Sequence, residues 1–257
     1  MKQIAIVTGA SSGIGKLLAL GIPERYEIDE LWVVARSEDR LLALQSETKV
    51  PVRAFPIDLT DPAQYALLRT ALQEEAPAVK VLVNASGYGK FERFDRIPEE
   101  DNLGMIDLNC RALTAVTHIV LPYVPAGGIV VNIASMGAFQ PLPYINVYAA
   151  TKAYVLSFSR ALNREMKSRK IKVLAVCPYW SQTAFFDRSN DKSFIKHFDK
   201  IYTPEFVVKK TFKAMKRKKD YVIPGLYARL THAAVKLFPH SIVMSEFLRR
   251  QKLKKIK

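Results

Sequence analysis

The segment TGASSGIG, Thr8 to Gly15, restricts the fold more than any other part of the chain. It stands between an apolar run, Gln3 to Thr8, and residues at helical spacing, Ile14, Leu17, Leu18 and Gly21. Strand, glycine turn and helix in that order are what a dinucleotide cradle needs. The missing side chains at Gly9, Gly13 and Gly15 let the backbone approach a pyrophosphate, and the helix start adds free N–H groups and the positive end of its dipole. The segment predicts phosphate contacts from Gly9, Ser11, Ser12, Gly13, Ile14 and Gly15; a plain tight turn is the plainer reading of the same residues.

The rest of the chain repeats this alternation. Apolar strands are predicted at Leu31 to Ala35, Val52 to Ile57, Val79 to Asn84, Ile129 to Ala134 and Ile171 to Cys177. Between them come helical patterns around Asp39 to Ser46, after Asp61-Pro62, over Asn102 to Leu121 and over Tyr148 to Ser168. Short, continuously apolar strands separated by helices imply a parallel sheet covered on both faces, and right-handed crossovers make it doubly wound. At 257 residues and 49% hydrophobic content, the α/β chain is expected to form a single domain. Its expected parts are a core over residues 1–177 and, over 178–257, a substrate lid with a basic C-terminal extension. That second part holds a helix from Pro204 to Lys218, a short strand at Tyr221 to Ile223, and a helical stretch, Leu226 to Leu248, interrupted by Pro239.

The second strand ends in Arg36-Ser37, where an acidic residue would hold the ribose 2′-hydroxyl of NAD. A guanidinium pairs with a 2′-phosphate, so NADP is the expected cofactor. Glu38 and Asp39 follow in a first helical turn, where they complement the helix dipole. The alternative for Arg36 is an ordinary solvated surface residue.

Tyr148 and Lys152 are four apart on a predicted helix and so share one face. An ammonium about 4 Å from a phenol, at an effective dielectric near ~20, is worth roughly 4 kcal/mol, or about three pKa units. The spacing therefore predicts a tyrosine drawn down toward neutrality, able to give or take a proton. Ser135, at the carboxyl end of the Ile129 to Ala134 strand, is placed to hold a substrate oxygen in the crevice of an open α/β sheet.

TGASSGIG, Asp58-Leu59, NASG at Asn84 to Gly87, Asn109, Ser135 and YAATK at Tyr148 to Lys152 together make the chain resemble the short-chain dehydrogenase/reductase family over roughly Lys2 to Thr183. The resemblance implies a Rossmann-type fold and an NADP(H)-dependent oxidoreductase interconverting a carbonyl and a secondary alcohol. It implies Tyr148 as acid/base, Lys152 as the residue that tunes it and binds the nicotinamide ribose, Ser135 on the substrate oxygen, and Asn109 positioning a water in the proton relay. Asp58 and Leu59 would lie by the adenine, Asn84, Ala85 and Ser86 would support the central sheet and the cofactor, and Pro178, Ser181 and Thr183 would flank the nicotinamide. Ala85-Ser86 and Tyr179 depart from the family pattern, Tyr179 putting bulk where glycine is usual. The resemblance also implies a homo-oligomer, dimer or tetramer.

The resemblance places Tyr88, Phe91, Phe139, Tyr179, Trp180, Phe185 and Phe186 around the substrate mouth, which suggests a bulky apolar carbonyl compound such as a steroid or acyl-type ketone. Individual aromatics can equally pack loops or a subunit contact. The net charge of +15 is concentrated at one end: from Val207 to Lys257, fifteen lysines and arginines face Asp220 and Glu246. Leu226, Leu230, Ala233, Ala234 and Leu237 recur there at helical spacing, compatible with peripheral membrane binding or with a packed lid or oligomer contact. Nucleic-acid phosphates have charge in their favour but no accompanying motif. A non-catalytic NADP-binding sensor or scaffold that uses this tail is the alternative to an enzyme.

Cys110 and Cys177 offer no disulfide framework and suit a cytoplasmic setting. The uncharged stretch from Ala112 to Thr151 is broken by prolines and glycines, against a membrane span. The four histidines show no metal-ligand spacing.

Overall fold

The computed structural model describes residues 1–183, 185, 195–217 and 219–253. Its strands are β1 (Gln3–Thr8), β2 (Glu30–Ala35), β3 (Val52–Pro56), β4 (Ala78–Asn84), β5 (Ile129–Ile133), β6 (Lys172–Val176) and β7 (Tyr221–Val222). All pairings are parallel, in the order β3-β2-β1-β4-β5-β6-β7. The central strands read as unbroken apolar runs because both faces are covered. In β1, Ile4 and Ile6 pack with Trp32 on one side of the sheet, while Ala5 and Val7 pack with Leu18 on the other. Each such valine, isoleucine or leucine contributes roughly 1.5–3 kcal/mol on burial.

Topology decides where a ligand can sit. β2 and β3 lie on one side of β1, and β4 to β7 on the other. The crossovers leaving β1 and β4 therefore diverge, opening a crevice at their carboxyl ends. Thr8 pairs with Val34 of β2 and Asn84 of β4, so the strand ends stay in register at that crevice.

The helices are α1 (Gly13–Gly21), α2 (Glu38–Leu42), α3 (Tyr65–Glu75), α4 (Glu99–Ile106), α5 (Leu113–Val120), α6 (Asn146–Glu165), α7 (Pro204–Met215), α8 (Leu226–Leu237) and α9 (His240–Arg250). Three details depart from expectation. The helix after β2 tightens after Leu42 into a 3₁₀ segment, Ala43–Glu47. The long helix expected from Asn102 is joined through a π turn, Asp107–Ala112, between α4 and α5. Finally, Phe139 is not at the substrate mouth: its ring lies 4.0 Å from that of His232 on α8 and against Tyr221. The 3₁₀ turn Met136–Phe139 carries it off the end of β5 toward the C-terminal helices. Phe186 and positions 254–257 of the basic tail lie outside the described residues.

Candidate active site

A cleft of about 980 Å³ runs along the carboxyl ends of the strands. It gathers residues far apart in sequence: Gly9, Ser11, Ser12, Gly13, Ile14 and Gly15; Arg36 and Ser37; Asp58 and Leu59; Ala85 and Ser86; Ser135, Tyr148 and Lys152; Pro178, Ser181 and Thr183. Of the sequence-predicted set, Asn84 and Asn109 stand behind the cleft wall. Asn84 is buried and spends its amide hydrogens on Thr117 (3.0 Å) and Asn132 (2.9 Å), tying β4 to α5 and β5. Of its two expected supports, to the sheet and to the cofactor, it makes the first; its side chain does not line the cleft.

The glycine turn is shaped by close approach. Gly9 has φ +68°, and a Cβ there would stand 2.7 Å from the Ser86 nitrogen; one on Gly15 would stand 2.2 Å from the Gly9 carbonyl oxygen. Only hydrogen fits at either position, so α1 settles directly onto the turn and against the Ala85-Ser86 backbone. Ser12 precedes α1 without a side-chain cap, and its first turn holds no acidic residue. Its N–H groups are therefore left to an anion in the cleft, and the donor set fits a dinucleotide pyrophosphate.

At the adenosine end, the Arg36 side chain is 70% exposed, with Nη1 4.0 Å from Asp58 Oδ2. That contact is too long to hold the guanidinium, which remains available to a phosphate above the end of β2. Asp58 accepts from the Thr60 backbone N–H (2.9 Å) and hydroxyl (2.7 Å). Burial works to raise its pKa, but the Thr60 donors and Arg36 carry it below the usual carboxylate range.

At the other end, Ser135 opens the 3₁₀ turn, and its Oγ accepts from the Gly137 N–H at 3.1 Å. Its own hydroxyl hydrogen is left to donate. Tyr148 and Lys152 lie on the cleft side of α6, with Lys152 Nζ 5.6 Å from the centre of the Tyr148 ring. Lys152 is buried and donates to the Ile133 carbonyl at 2.9 Å. Here the electrostatic expectation is corrected. Enclosure by protein pushes the Tyr148 phenol up to about 12, with Ser135 opposing, and pushes the Lys152 amine down to about 8. Desolvation penalises phenolate and ammonium alike and is the leading cause of both shifts.

Asn109 sits in the π turn. Both its amide hydrogens are used, on the Tyr88 carbonyl (2.9 Å) and Thr151 Oγ1 (3.0 Å), while its Oδ1 accepts from the Tyr88 N–H (3.1 Å). Thr151 in turn donates to the Tyr148 carbonyl at 2.7 Å. The asparagine therefore pins the turn of α6 that presents the tyrosine. Any water relay to Lys152 must use its acceptors, because its donors are spent.

Beyond Tyr148 the cleft becomes apolar. Phe91 and Phe185 pack against the Tyr148 ring at 5.7 and 5.3 Å between centroids, and Trp180 meets Phe91 at 6.0 Å. Tyr88 and Tyr179 also face this space. Gln140 contributes a buried Oε1 with no partner among the described residues, an acceptor available to a ligand. Sequence reasoning missed Leu142, Ile145 and Phe247, all of which line this end. It also missed Gly89, where a Cβ would stand 2.8 Å from the Tyr148 ring.

Phe247 arrives from α9, whose position is fixed through Asp199. That carboxylate receives Arg250 (2.9 Å), the Tyr227 hydroxyl (3.1 Å), His197 (2.6 Å) and, more distantly, the Tyr179 hydroxyl (3.5 Å). A four-partner acceptor in an aperiodic segment has no local sequence signature.

The family described as short chain dehydrogenase matches over residues 3–193. The chain is similar to the very-long-chain 3-oxoacyl-CoA reductase of Mus musculus, with 30% identity over 98% of this chain and 83% of that protein. Among solved structures, a short-chain dehydrogenase from Sphingobium yanoikuyae in complex with NADPH superposes with a TM-score of 0.78 at 31% identity, covering 92% of this chain and 95% of that chain. The bulky-bulky ketone specific alcohol dehydrogenase from Comamonas testosteroni gives 0.73 at 28% identity, covering 92% and 93%.

Proposed function

The chain belongs to the short chain dehydrogenase family, and from that premise we propose that it is an NADP(H)-dependent reductase of bulky, apolar ketones. One observation carries the reading. The Ser135 and Tyr148 hydroxyls stand where a phosphate-binding glycine cradle and an aromatic wall meet in a single cleft.

A nicotinamide dinucleotide held by Gly9 to Gly15 and Arg36 would supply the hydride. The protein's own groups handle the oxygen. Ser135 donates its free hydrogen to the carbonyl oxygen and fixes it, and the phenol of Tyr148, protonated throughout the neutral range, gives that oxygen its proton. Lys152 below pH 8 adds positive charge beside the forming alkoxide. Asn109, through Thr151, is a positioning residue for the turn that carries the phenol.

The substrate class follows from the far wall. Phe91, Leu142, Ile145, Trp180, Phe185 and Phe247 present hydrocarbon, with Gln140 as a polar anchor. This suits a bulky ketone better than a small charged acid. Names of similar proteins, a very-long-chain 3-oxoacyl-CoA reductase and a bulky-bulky ketone specific alcohol dehydrogenase, support that direction.

Consumption of NADPH with a panel of steroid ketones, bulky aryl ketones and 3-oxoacyl thioesters tests the reading; no turnover with any of them overturns it. In the same assay Arg36→Asp is expected to raise the Kd for NADPH by about ten- to a hundredfold, the loss of one charge-assisted contact, and to leave NADH much less affected. Equal losses would remove the 2′-phosphate contact.

The pH profile has a defined sign. A lysine whose pKa is lowered to about 8 is charged below that value and loses its charge above it, while the phenol stays protonated until about 12. The kcat/KM for ketone reduction is expected to be level through neutrality and to fall up to about tenfold per pH unit above 8. Lys152→Met should be slow at every pH and lack that descending limb. An unchanged limb in the variant would show that another group sets it.

A further inference from the structure

Helix α8 is apolar on two opposite sides. One side is spent inward, where Ala228, His232 and Val235 are buried, with Phe139 tilted against the histidine ring and Tyr221 meeting it edge-on. At ~100° per residue, Leu226, Leu230 and Leu237 fall within one narrow stripe on the far side, 63%, 61% and 80% exposed. Phe238, at the exit of α8, and Ile242, in the first turn of α9, are also 54% and 53% exposed. Scattered exposed leucines need no explanation, but three on one stripe, with two more exposed apolar side chains within five residues of its end, do.

Charge says what covers them. Arg229 and Lys236, both exposed, lie together on one shoulder of the stripe, within the C-terminal region whose lysines and arginines outnumber its acids fifteen to two. A second copy of the chain is disfavoured there, since a two-fold contact sets the same patch on itself and brings these cations toward one another. An anionic lipid surface satisfies both features, hydrocarbon for the stripe and headgroups for the shoulder. Twelve residues span about 18 Å, well short of a hydrocarbon core about 30 Å thick. No helix among the described residues is long and apolar enough to cross a membrane. A helix of this length that meets a bilayer lies in its interfacial plane.

The position of α8 ties this face to the cleft. Thr231, on another side of the same helix, lines the cleft, as does Phe247 from α9. We propose that α8 and its junction with α9 form an in-plane anchor, with Leu226, Leu230, Leu237, Phe238 and Ile242 seated in an anionic bilayer, so that the cleft draws its apolar ketone from the lipid. The source of the ketone rests on the reductase reading above; the anchor itself does not.

Co-sedimentation of the full chain with phosphatidylcholine vesicles, with and without phosphatidylserine, tests the anchor. The wild-type chain is expected to partition onto the phosphatidylserine vesicles. The double variant Leu230→Glu, Leu237→Glu should lose at least about tenfold in partitioning, with its thermal melt and its turnover of a water-soluble ketone unchanged. Arg229→Glu with Lys236→Glu should abolish the preference for phosphatidylserine. The anchor is overturned if the wild-type chain stays in the supernatant, or if the double glutamate variant binds vesicles as well as wild type. It is also overturned if that variant turns a dimer into a monomer without any vesicle binding in the parent, which would assign the stripe to a second copy. Vesicle binding without turnover on any ketone would sink the reductase reading and leave the anchor standing; turnover without vesicle binding would do the reverse.

Discussion

Tyr148→Phe is expected to lower kcat for ketone reduction by about 10²- to 10⁴-fold while leaving the Kd for NADPH close to that of wild type. The substitution removes one oxygen and nothing else. The ring that remains is held by Phe91 and Phe185, and its backbone carbonyl still accepts from Thr151. The phosphate-binding turn is shaped by the close approach of Gly9 and Gly15 to each other and to the Ala85-Ser86 segment, and does not depend on the phenol. Single-turnover kinetics with fluorescence titration of NADPH separate the two quantities. A phenylalanine variant that reduces ketones at near wild-type rates would transfer proton delivery to another group and remove the role given to this residue.

Gly15→Ala is expected to destabilise the protein and to weaken NADPH by at least about tenfold, although the same substitution in an ordinary helix stabilises by ~1 kcal/mol. The sign is reversed by what surrounds Gly15. The added methyl would stand 2.2 Å from the Gly9 carbonyl oxygen and 3.3 Å from the Ala85 Cβ. The nearest atom is backbone, in a turn already fixed by the left-handed conformation of Gly9, so α1 must lift. Overpacking of this kind costs about 1–3 kcal/mol, visible as a fall of several degrees in Tm. Lifting the helix also withdraws the N–H groups that meet the pyrophosphate. A variant that melts higher than wild type and binds NADPH normally would show that the turn is looser than its geometry.

Much of this arrangement was legible in the residues alone, for reasons that also explain what was not. Strands buried on both faces announce themselves as runs such as Ile4 to Val7 and Leu31 to Val34, and glycines stand out where two backbones touch. The pairing of Tyr148 with Lys152 follows from helical spacing. Their protonation does not, because desolvation depends on what encloses them, and here enclosure reverses the shift that charge proximity predicts. The π turn at Asp107–Ala112 leaves no mark in hydrophobic periodicity, so Asn109, singled out by the family resemblance, is by spacing alone one more residue of a long helix. Phe139 was misplaced because a turn after a strand can send a ring to either end of the sheet. The apolar stripe of α8 was visible as a stripe, but only coordinates could tell that it faces outward while Ala228, His232 and Val235 face in.

The π turn also binds two parts of the molecule to a common fate. Along the helix that contains it, Met105 is wholly buried and Asn102 nearly so on one side, while Val116 and Val120 are buried on the other, and Asn109 between them is fastened to Tyr88 and Thr151. Shortening the turn by a single residue would restore regular α geometry and rotate everything before it by ~100° relative to everything after. Either the inward row or the asparagine would then swing out of register. The irregularity is therefore a gearing element, matching the pitch of a hydrophobic seam to the height at which one amide must meet its partners.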